Sequence, residues 1–331
     1  MFSKYLLTGA TGFLGNTIAW MLHEKGLECV CLVVKGDRHA SKLPPSVKIV
    51  YGDVLDFDSI VEFFEEKDDN TCLLHCAGIV SIASKKEPDI YNVNVRGTIN
   101  ILSKALEHNI KKVIYVSSIH AIPPKTKNEV MTELSYFDKD LVMGDYAKSK
   151  AIASNYAIEY SRFGLDISIV HPAGLIGPRD FRAGEMTNLI TEYLKGNLRF
   201  ASKGGNNFVD VRDAAKGILK CAEAGKKGEC YLLTGHNCSI KQMLEEVRKR
   251  TGGKKVFYLP LWFVRRIASI HERIKMMKKE RCYLTPYSVY ALGINSTFSS
   301  LKAIKEFGYA IRPIEKTLKD TVYWLRIHEI D

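Results

Sequence analysis

Tyr5-Leu6-Leu7-Thr8-Gly9-Ala10-Thr11-Gly12-Phe13-Leu14-Gly15 is the stretch whose reading decides the fold. A short apolar run breaks into glycines at G-x-x-G-x-x-G spacing, and Leu14, Ile18, Met21 and Leu22 then recur at helical period until Gly26. Strand, tight turn and helix in that order let backbone N–H groups and a helix N-terminus face a pyrophosphate. Gly9, Thr11, Gly12, Phe13, Leu14 and Gly15 are therefore expected to form a dinucleotide-binding turn.

Working outward, apolar runs of strand length recur at residues 29–34, 47–51, 72–76, 112–117 and 166–171, separated mainly by helical periodicity. Their apolarity is continuous rather than alternating, as a strand buried on both faces requires. The expected fold class is α/β, a Rossmann-type doubly wound parallel sheet with a smaller, interleaved C-terminal substrate lobe. The nucleotide-binding domain is expected over residues 1–172, with 205–235 returning to it. Residues 173–204 and 236–331 are expected to be mainly the substrate lobe. The first of these breaks the α/β rhythm with glycines and Pro178 before a short amphipathic piece from Met186 to Leu194. Phe208 to Asp213 is read as opening a helix, Cys230 to Leu233 as one more strand, and Ser239 with Gln242 as a capping box. The tail from Ser299 to Ile330 reads as two amphipathic helices split at Pro313.

The chain has 331 residues, enough to bury a sizeable core. No apolar run approaches the roughly 18 residues of a membrane span. The N-terminus enters the glycine turn almost at once, so a cytoplasmic protein without a cleavable leader is expected. Eight cysteines without a C-x-x-C pair argue for buried thiols, with no metal site and no disulfide framework. The net charge of +11 is concentrated in residues 241–281, which hold thirteen Lys/Arg against four Asp/Glu. No nucleic-acid-binding module accompanies that charge, so solvated helix faces are its ordinary explanation, and no nucleic-acid partner is expected. Membrane-surface contact by residues 262–281, where Ile267, Ile270, Ile274 and Met277 mix with cations, is the lesser reading. A monomer or a homodimer acting on a small molecule is expected.

Far downstream, Tyr146-Ala147-Lys148-Ser149-Lys150 puts a phenol and an ammonium one helical turn apart. Hydride transfer to a ketone leaves an alkoxide that needs a proton. Tyr146 can supply it if its pKa of about 10 is brought down, and Lys150 is the cation expected to do so. Ser117 and Ser118 close the fifth strand, where either hydroxyl can bind the substrate oxygen. Lys35 stands where an acid would hold the ribose 2′-hydroxyl of NAD; with Arg38 nearby it points to a 2′-phosphate and so to NADP(H). Asp37 is the dissenting residue that keeps NAD(H) as the alternative. Asp53, followed by Val54, lies at a strand's carboxyl end within reach of an adenine, although a turn residue explains it as well. Ala77 and Gly78 offer a backbone with almost no side chain against a cofactor.

These motifs, together with Asn94-Val95-Arg96-Gly97-Thr98, Val116-Ser117-Ser118 and His171-Pro172-Ala173-Gly174-Leu175-Ile176-Gly177-Pro178, resemble the extended short-chain dehydrogenase/reductase family in its order. Within it, Tyr136-Phe137-Asp138 and the stretch from Phe298 to Tyr309 make the chain look most like the dihydroflavonol reductase and 3β-hydroxysteroid dehydrogenase branch. The resemblance implies Ser118 as the active serine, Tyr146 as general acid or base, and Lys150 as its tuner and a ribose ligand. It also implies Asn94 as a cofactor-side helper and Pro172, Ala173 and Leu175 beside the nicotinamide. Ile119-His120 after Ser118 lacks the acidic pair of the sugar-nucleotide dehydratases, and Asn207 stands where the epimerases usually place a diphosphate-binding arginine. Phe137, Leu141, Met143, Phe181, Met186 and Leu189, with His120, are expected on the substrate side, mostly apolar. The expected activity is NADP-dependent interconversion of a ketone and a secondary alcohol on a bulky apolar substrate, flavonoid- or steroid-like. A nucleotide-sugar epimerase is the alternative, and a cofactor-sensing binding protein, which would usually lack the Tyr-x-x-x-Lys pair, is a further one.

Overall fold

The computed structural model describes residues 2–81, 88–126, 129–277 and 284–328. The strands are β1 (Lys4–Thr8), β2 (Glu28–Val33), β3 (Lys48–Tyr51), β4 (Thr71–His75), β5 (Lys112–Val116), β6 (Ile167–Pro172), β7 (Gly174–Ile176), β8 (Phe200–Ser202), β9 (Gly205–Asp210), β10 (Cys230–Leu233), β11 (His236–Ser239) and β12 (Phe257–Leu259). Seven of them form one parallel sheet in the order β10-β6-β5-β4-β1-β2-β3. The inner strand β1 shows why the apolar runs are continuous. Tyr5 and Leu7 enter the core on one face and Leu6 the core on the other, all three almost fully buried.

The helices are α1 (Phe13–Glu24), α2 (Val61–Glu65), α3 (Pro88–Tyr91), α4 (Thr98–Glu107), α5 (Asp145–Arg162), α6 (Glu185–Leu194), α7 (Val211–Ala224), α8 (Ile240–Thr251), α9 (Leu261–Met277), α10 (Pro286–Ala291), α11 (Leu301–Phe307) and α12 (Ile314–His328). Helices α1 and α7 cover the first face through Ile18, Leu22, Ala214 and Ile218. Helices α4 and α5 cover the second through Ile101, Leu102, Ala151 and Ala153. The chain direction switches between β1 and β4, so their carboxyl ends flank a crevice, the place where open α/β sheets bind ligands.

A three-stranded sheet, β11-β9-β7, and the pair β12-β8 stand apart from the main sheet. They share a core with α6, α8 and α12, built on Ile176, Ile190, Phe208, Met243, Val247 and Trp324. The stretch from Phe208 to Asp213, read as opening a helix, opens one at Val211. Phe208 to Asp210 finish β9, and the Asp210 carboxylate, accepting from the Arg212 N–H at 2.8 Å, caps α7 at its true start. The capping box at Ser239 and Gln242 is formed, and the tail helices part around Pro313.

Candidate active site

The glycine turn is held by contacts that leave no room for side chains. Gly9 has φ +69°, and a Cβ on it would lie 2.6 Å from the Ala77 nitrogen; a Cβ on Gly15 would lie 2.2 Å from the Gly9 carbonyl. Gly12 N–H donates to Gly9 O at 3.0 Å, and α1 begins after Gly12 with no side chain capping it. Phe13 and Leu14 therefore present first-turn amides while their side chains pack into the core, a cradle that fits the pyrophosphate of a dinucleotide.

Beside it, Gly78 lies where a Cβ would be 3.1 Å from Asn94 Oδ1 and 3.3 Å from Lys150 Nζ. Asn94 is fully buried on a π-helical turn, residues 92–97, that leads into α4. Its amide donates to Ile79 O and Ser149 Oγ, both at 3.0 Å, and its Oδ1 accepts from Ile79 N–H at 2.8 Å. Asn94 thus ties the end of β4 to α5. Ala77 donates its N–H to Thr8 Oγ1 at 3.2 Å.

Helix α5 carries Tyr146 and Lys150 on its buried side. The Lys150 ammonium donates to the Val116 carbonyl at 2.8 Å and stands 5.2 Å from the Tyr115 ring centre. Burial lowers its pKa to about 8. Ser117 and Ser118 take different roles. Ser117 Oγ shares a 2.7 Å hydrogen bond with Ser154, whereas Ser118 Oγ accepts from the His120 N–H at 3.2 Å and is close enough to the Tyr146 phenol to lower its pKa. His171, at the end of β6, holds Ser118 by its carbonyl at 3.1 Å. The Tyr146 phenol departs from expectation. Burial pushes its pKa up, Ser118 pulls it back, and Glu185 at the start of α6 pushes it up again. The expected lowering by Lys150 is corrected here, because desolvation of the phenol outweighs the help it receives, and that help comes from Ser118.

At the end of β2, Lys35 and Arg38 are exposed. Asp37 accepts from Thr11 Oγ1 at 2.7 Å and from the His39 N–H at 3.0 Å. It also pairs with Arg182, a residue that no sequence motif singles out. Arg182 Nε donates to the Thr11 carbonyl at 3.0 Å, so a side chain from the insertion after β7 lies across the glycine turn. Burial raises the Asp37 pKa, but Thr11, His39 and Arg182 lower it more, leaving a carboxylate that ionises below its ordinary range. Asp53 Oδ1 accepts from the Leu55 N–H at 2.9 Å, a turn bond, and Val54 packs where a Cβ on Gly97 would strike it. Pro172 ends β6, Ala173 is buried with its N–H on Leu233 O, and Leu175 packs on the core from β7.

A narrow cleft of about 20 Å³ lies next to Tyr146, reached through its neighbours His120 and Ala147, which line it. His120 and Met143 line it with Ile119, Ile122, Met131, Val142, Tyr287, Tyr290 and Phe298. The His120 ring meets the Tyr146 ring edge-on at 6.0 Å, and burial brings its pKa down to about 4. Tyr287 and Phe298 were missed because they come from a distant segment. Residues 297–299 pair with Met131 (Met131 N–H to Thr297 O, 2.8 Å), which carries the tail to the cleft, and Gly144, at φ +91°, lets the Tyr287 ring sit just ahead of Tyr146. Phe181, Met186 and Leu189 are placed elsewhere, against the small lobe's own core, where Phe181 meets Trp324 at 5.3 Å. Phe137 is buried, stacked on His171 at 5.0 Å, and Leu141 is exposed away from the lining.

A crevice at the chain switch point with a glycine cradle, and a buried serine, tyrosine and lysine at its edge, define a nucleotide-dependent enzyme site. The profile of the NAD dependent epimerase/dehydratase family matches residues 5–233, and the chain belongs to that family. It is an enzyme of the oxidoreductases and epimerases that use NAD(P). Among individual proteins, it is similar to sterol demethylase protein B of Methylococcus capsulatus, 28% identical over 97% of this chain and 98% of that one. It is also similar to a putative dihydroflavonol 4-reductase of Synechocystis, 28% identical over 98% of this chain and 95% of that one. The crystal structure of gox2253 superposes with a TM-score of 0.85 at 28% identity, covering 99% of both chains.

Proposed function

We propose that this enzyme is an NADP-dependent oxidoreductase that interconverts a ketone and a secondary alcohol on a bulky, largely apolar substrate. The observation that carries the proposal is the buried Tyr146 phenol, under the influence of Ser118, next to a mostly apolar cleft lined by His120 and Ala147. The bound dinucleotide supplies or accepts the hydride. Ser118 and Tyr146 hold the substrate oxygen, and Tyr146 passes the proton to it. Burial keeps the Tyr146 phenol protonated at neutral pH, the form that donates a proton in ketone reduction. Lys150, charged below about pH 8, braces the end of β5 through Val116 beside the cofactor crevice.

The described cleft lining contains neither Lys nor Arg, which suits an uncharged substrate and disfavours the diphosphate of a nucleotide sugar. Asn207 supports the same choice: its side chain is tied to Asn237 Oδ1 (2.8 Å) and to the Gly235 N–H (2.7 Å), with no cation to offer. The names of the sterol- and flavonol-related proteins are in keeping with an apolar ring system. At the cofactor's adenosine end, Lys35, Arg38 and Arg182 stand against the single Asp37 carboxylate, a balance that favours a 2′-phosphate.

Tyr146→Phe tests the reading. It is expected to lower turnover by about 100-fold or more while NADPH affinity, read by fluorescence titration, stays nearly unchanged. Lys150→Met is expected to weaken both. Turnover that survives Tyr146→Phe would remove the mechanism.

A further inference from the structure

The oxidoreductase site makes no use of the outer face of α9. The helix is 17 residues long, about 25 Å, and turns Val264, Ala268 and Glu272 inward. Its other apolar residues, Phe263, Ile267, Ile270, Ile274 and Met277, recur every three or four positions and all are exposed, Ile270 to 62% and Met277 to 81%. Trp262, 67% exposed, stands beside Phe263 at the start of this stripe. Such an array in water is costly, and the ordinary explanation, a face packed into the core, is excluded by the exposures.

Charge identifies what covers it. Arg265, Arg266 and Arg273 are exposed along the same helix, while its one carboxylate, Glu272, is on the buried side. An apolar stripe rimmed by cations is the pattern of a helix lying in the headgroup layer of an anionic bilayer. A second copy of the chain fits less well, since a symmetric contact through α9 would gather Arg266 and Arg273 of both copies at its rim with no outward carboxylate on the helix to balance them. No described helix is long and apolar enough to cross a membrane, so the contact lies in the interface.

We propose that α9 docks this enzyme on anionic phospholipid membranes. The docked helix is one helix away from the cleft. Val264 and Ala268 pack on Val289 of α10, and Tyr287, Tyr290 and Ala291 of α10 line the cleft beside Tyr146.

The test is co-sedimentation of the full-length protein with vesicles of phosphatidylcholine alone and of phosphatidylcholine mixed equally with phosphatidylglycerol, with tryptophan emission recorded alongside. The expected result is binding to the mixed vesicles, weakened by salt, with a blue shift as Trp262 leaves water. Ile270→Ser combined with Ile274→Ser should lower partitioning by about tenfold or more while turnover of a water-soluble ketone is unchanged. Arg266→Glu with Arg273→Glu should abolish the preference for phosphatidylglycerol. Protein that stays in the supernatant at low salt overturns the proposal, as does equal partitioning of wild type and the Ile270, Ile274 variant. So does a dimer that the same variant dissociates in the absence of vesicle binding, which would assign the stripe to a second copy. Because the readout is partitioning, it stands or falls separately from the catalytic role of Tyr146.

Discussion

Tyr146 is governed by groups from three parts of the chain: the burial supplied by the cleft, the Ser118 hydroxyl, and the negative field of Glu185. Glu185 raises the phenol, so removing its charge lets the phenolate form more easily. Glu185→Gln is therefore expected to move the alkaline limb of the pH profile for ketone reduction to lower pH, because the proton donor is lost sooner. Stopped-flow rates of NADPH oxidation across pH would measure it. Lys150, brought down to about 8 by burial, does not feel Glu185, so a limb that stays in place would belong to the lysine instead. Ser118 illustrates how a residue is chosen by its neighbours. The adjacent Ser117 carries the same hydroxyl, but its bond to Ser154 turns it toward α5, and Ser154 in turn donates to the Lys150 carbonyl at 2.8 Å.

The segment from Pro178 to Gly184 acts as a strap over the cofactor crevice. Arg179 lies over the Trp20 ring of α1 at 4.3 Å, Lys42 stands 5.2 Å from the Phe181 ring, and Arg182 reaches Thr11 and Asp37. Arg179 and Ala183 hold φ of +73° and +47°, left-handed conformations that cost side-chain-bearing residues about 1–3 kcal/mol each. Asp180 offsets part of this: its carboxylate accepts from the Gly184 N–H at 2.8 Å and from Thr187 Oγ1 at 2.6 Å, fixing the start of α6. On the proposed NADP reading, the strap thereby delivers a third cation to the cofactor's adenosine end. Arg182→Ala is expected to weaken NADPH binding by about tenfold, the worth of one charge-assisted contact, and NADH binding much less. Equal losses for the two cofactors, read by titration of cofactor fluorescence, would show that Arg182 only braces the glycine turn.

Three histidines make the whole molecule sensitive to acid. Burial lowers His75 to about 3 and His120 and His171 to about 4, against 6.5 in the unfolded chain. Between about pH 6.5 and 4 the unfolded state therefore binds more protons than the native state, and stability falls as pH falls. Above 6.5 their contribution is complete. Melting temperatures measured through this window should drop steadily, and His75→Gln should flatten part of the slope. A flat profile in the wild type would refute the burial of these rings as neutral groups. His75 matters at this scale because it joins β1 to α4, with Thr8 Oγ1 at 2.7 Å on one nitrogen and Thr98 Oγ1 at 3.0 Å on the other. The tail is secured in a similar way: Arg312 pairs with Asp213 of α7 at 2.7 Å, and Arg212 bridges Asp210 and Asp320.

The sequence by itself determined the parallel sheet, because strands buried on both faces must be apolar throughout and the runs from Tyr5 to His171 can serve little else. It also determined the glycine turn and the Tyr146–Lys150 spacing, since these are local: a tight backbone approach and a single helical turn leave their mark within a dozen residues. Only the tertiary structure decided what lies opposite them. Arg182 on Asp37, Tyr287 over Gly144, and Phe298 in the cleft are contacts between segments far apart in the chain, and no periodicity encodes which of many arginines or aromatics arrives. The same holds for α9, whose apolar residues read equally well as core or surface until the packing of Val264 and Ala268 fixes which side faces in. Burial likewise set the direction of the Tyr146 shift against the reading from the neighbouring cation, because desolvation depends on everything packed around a group.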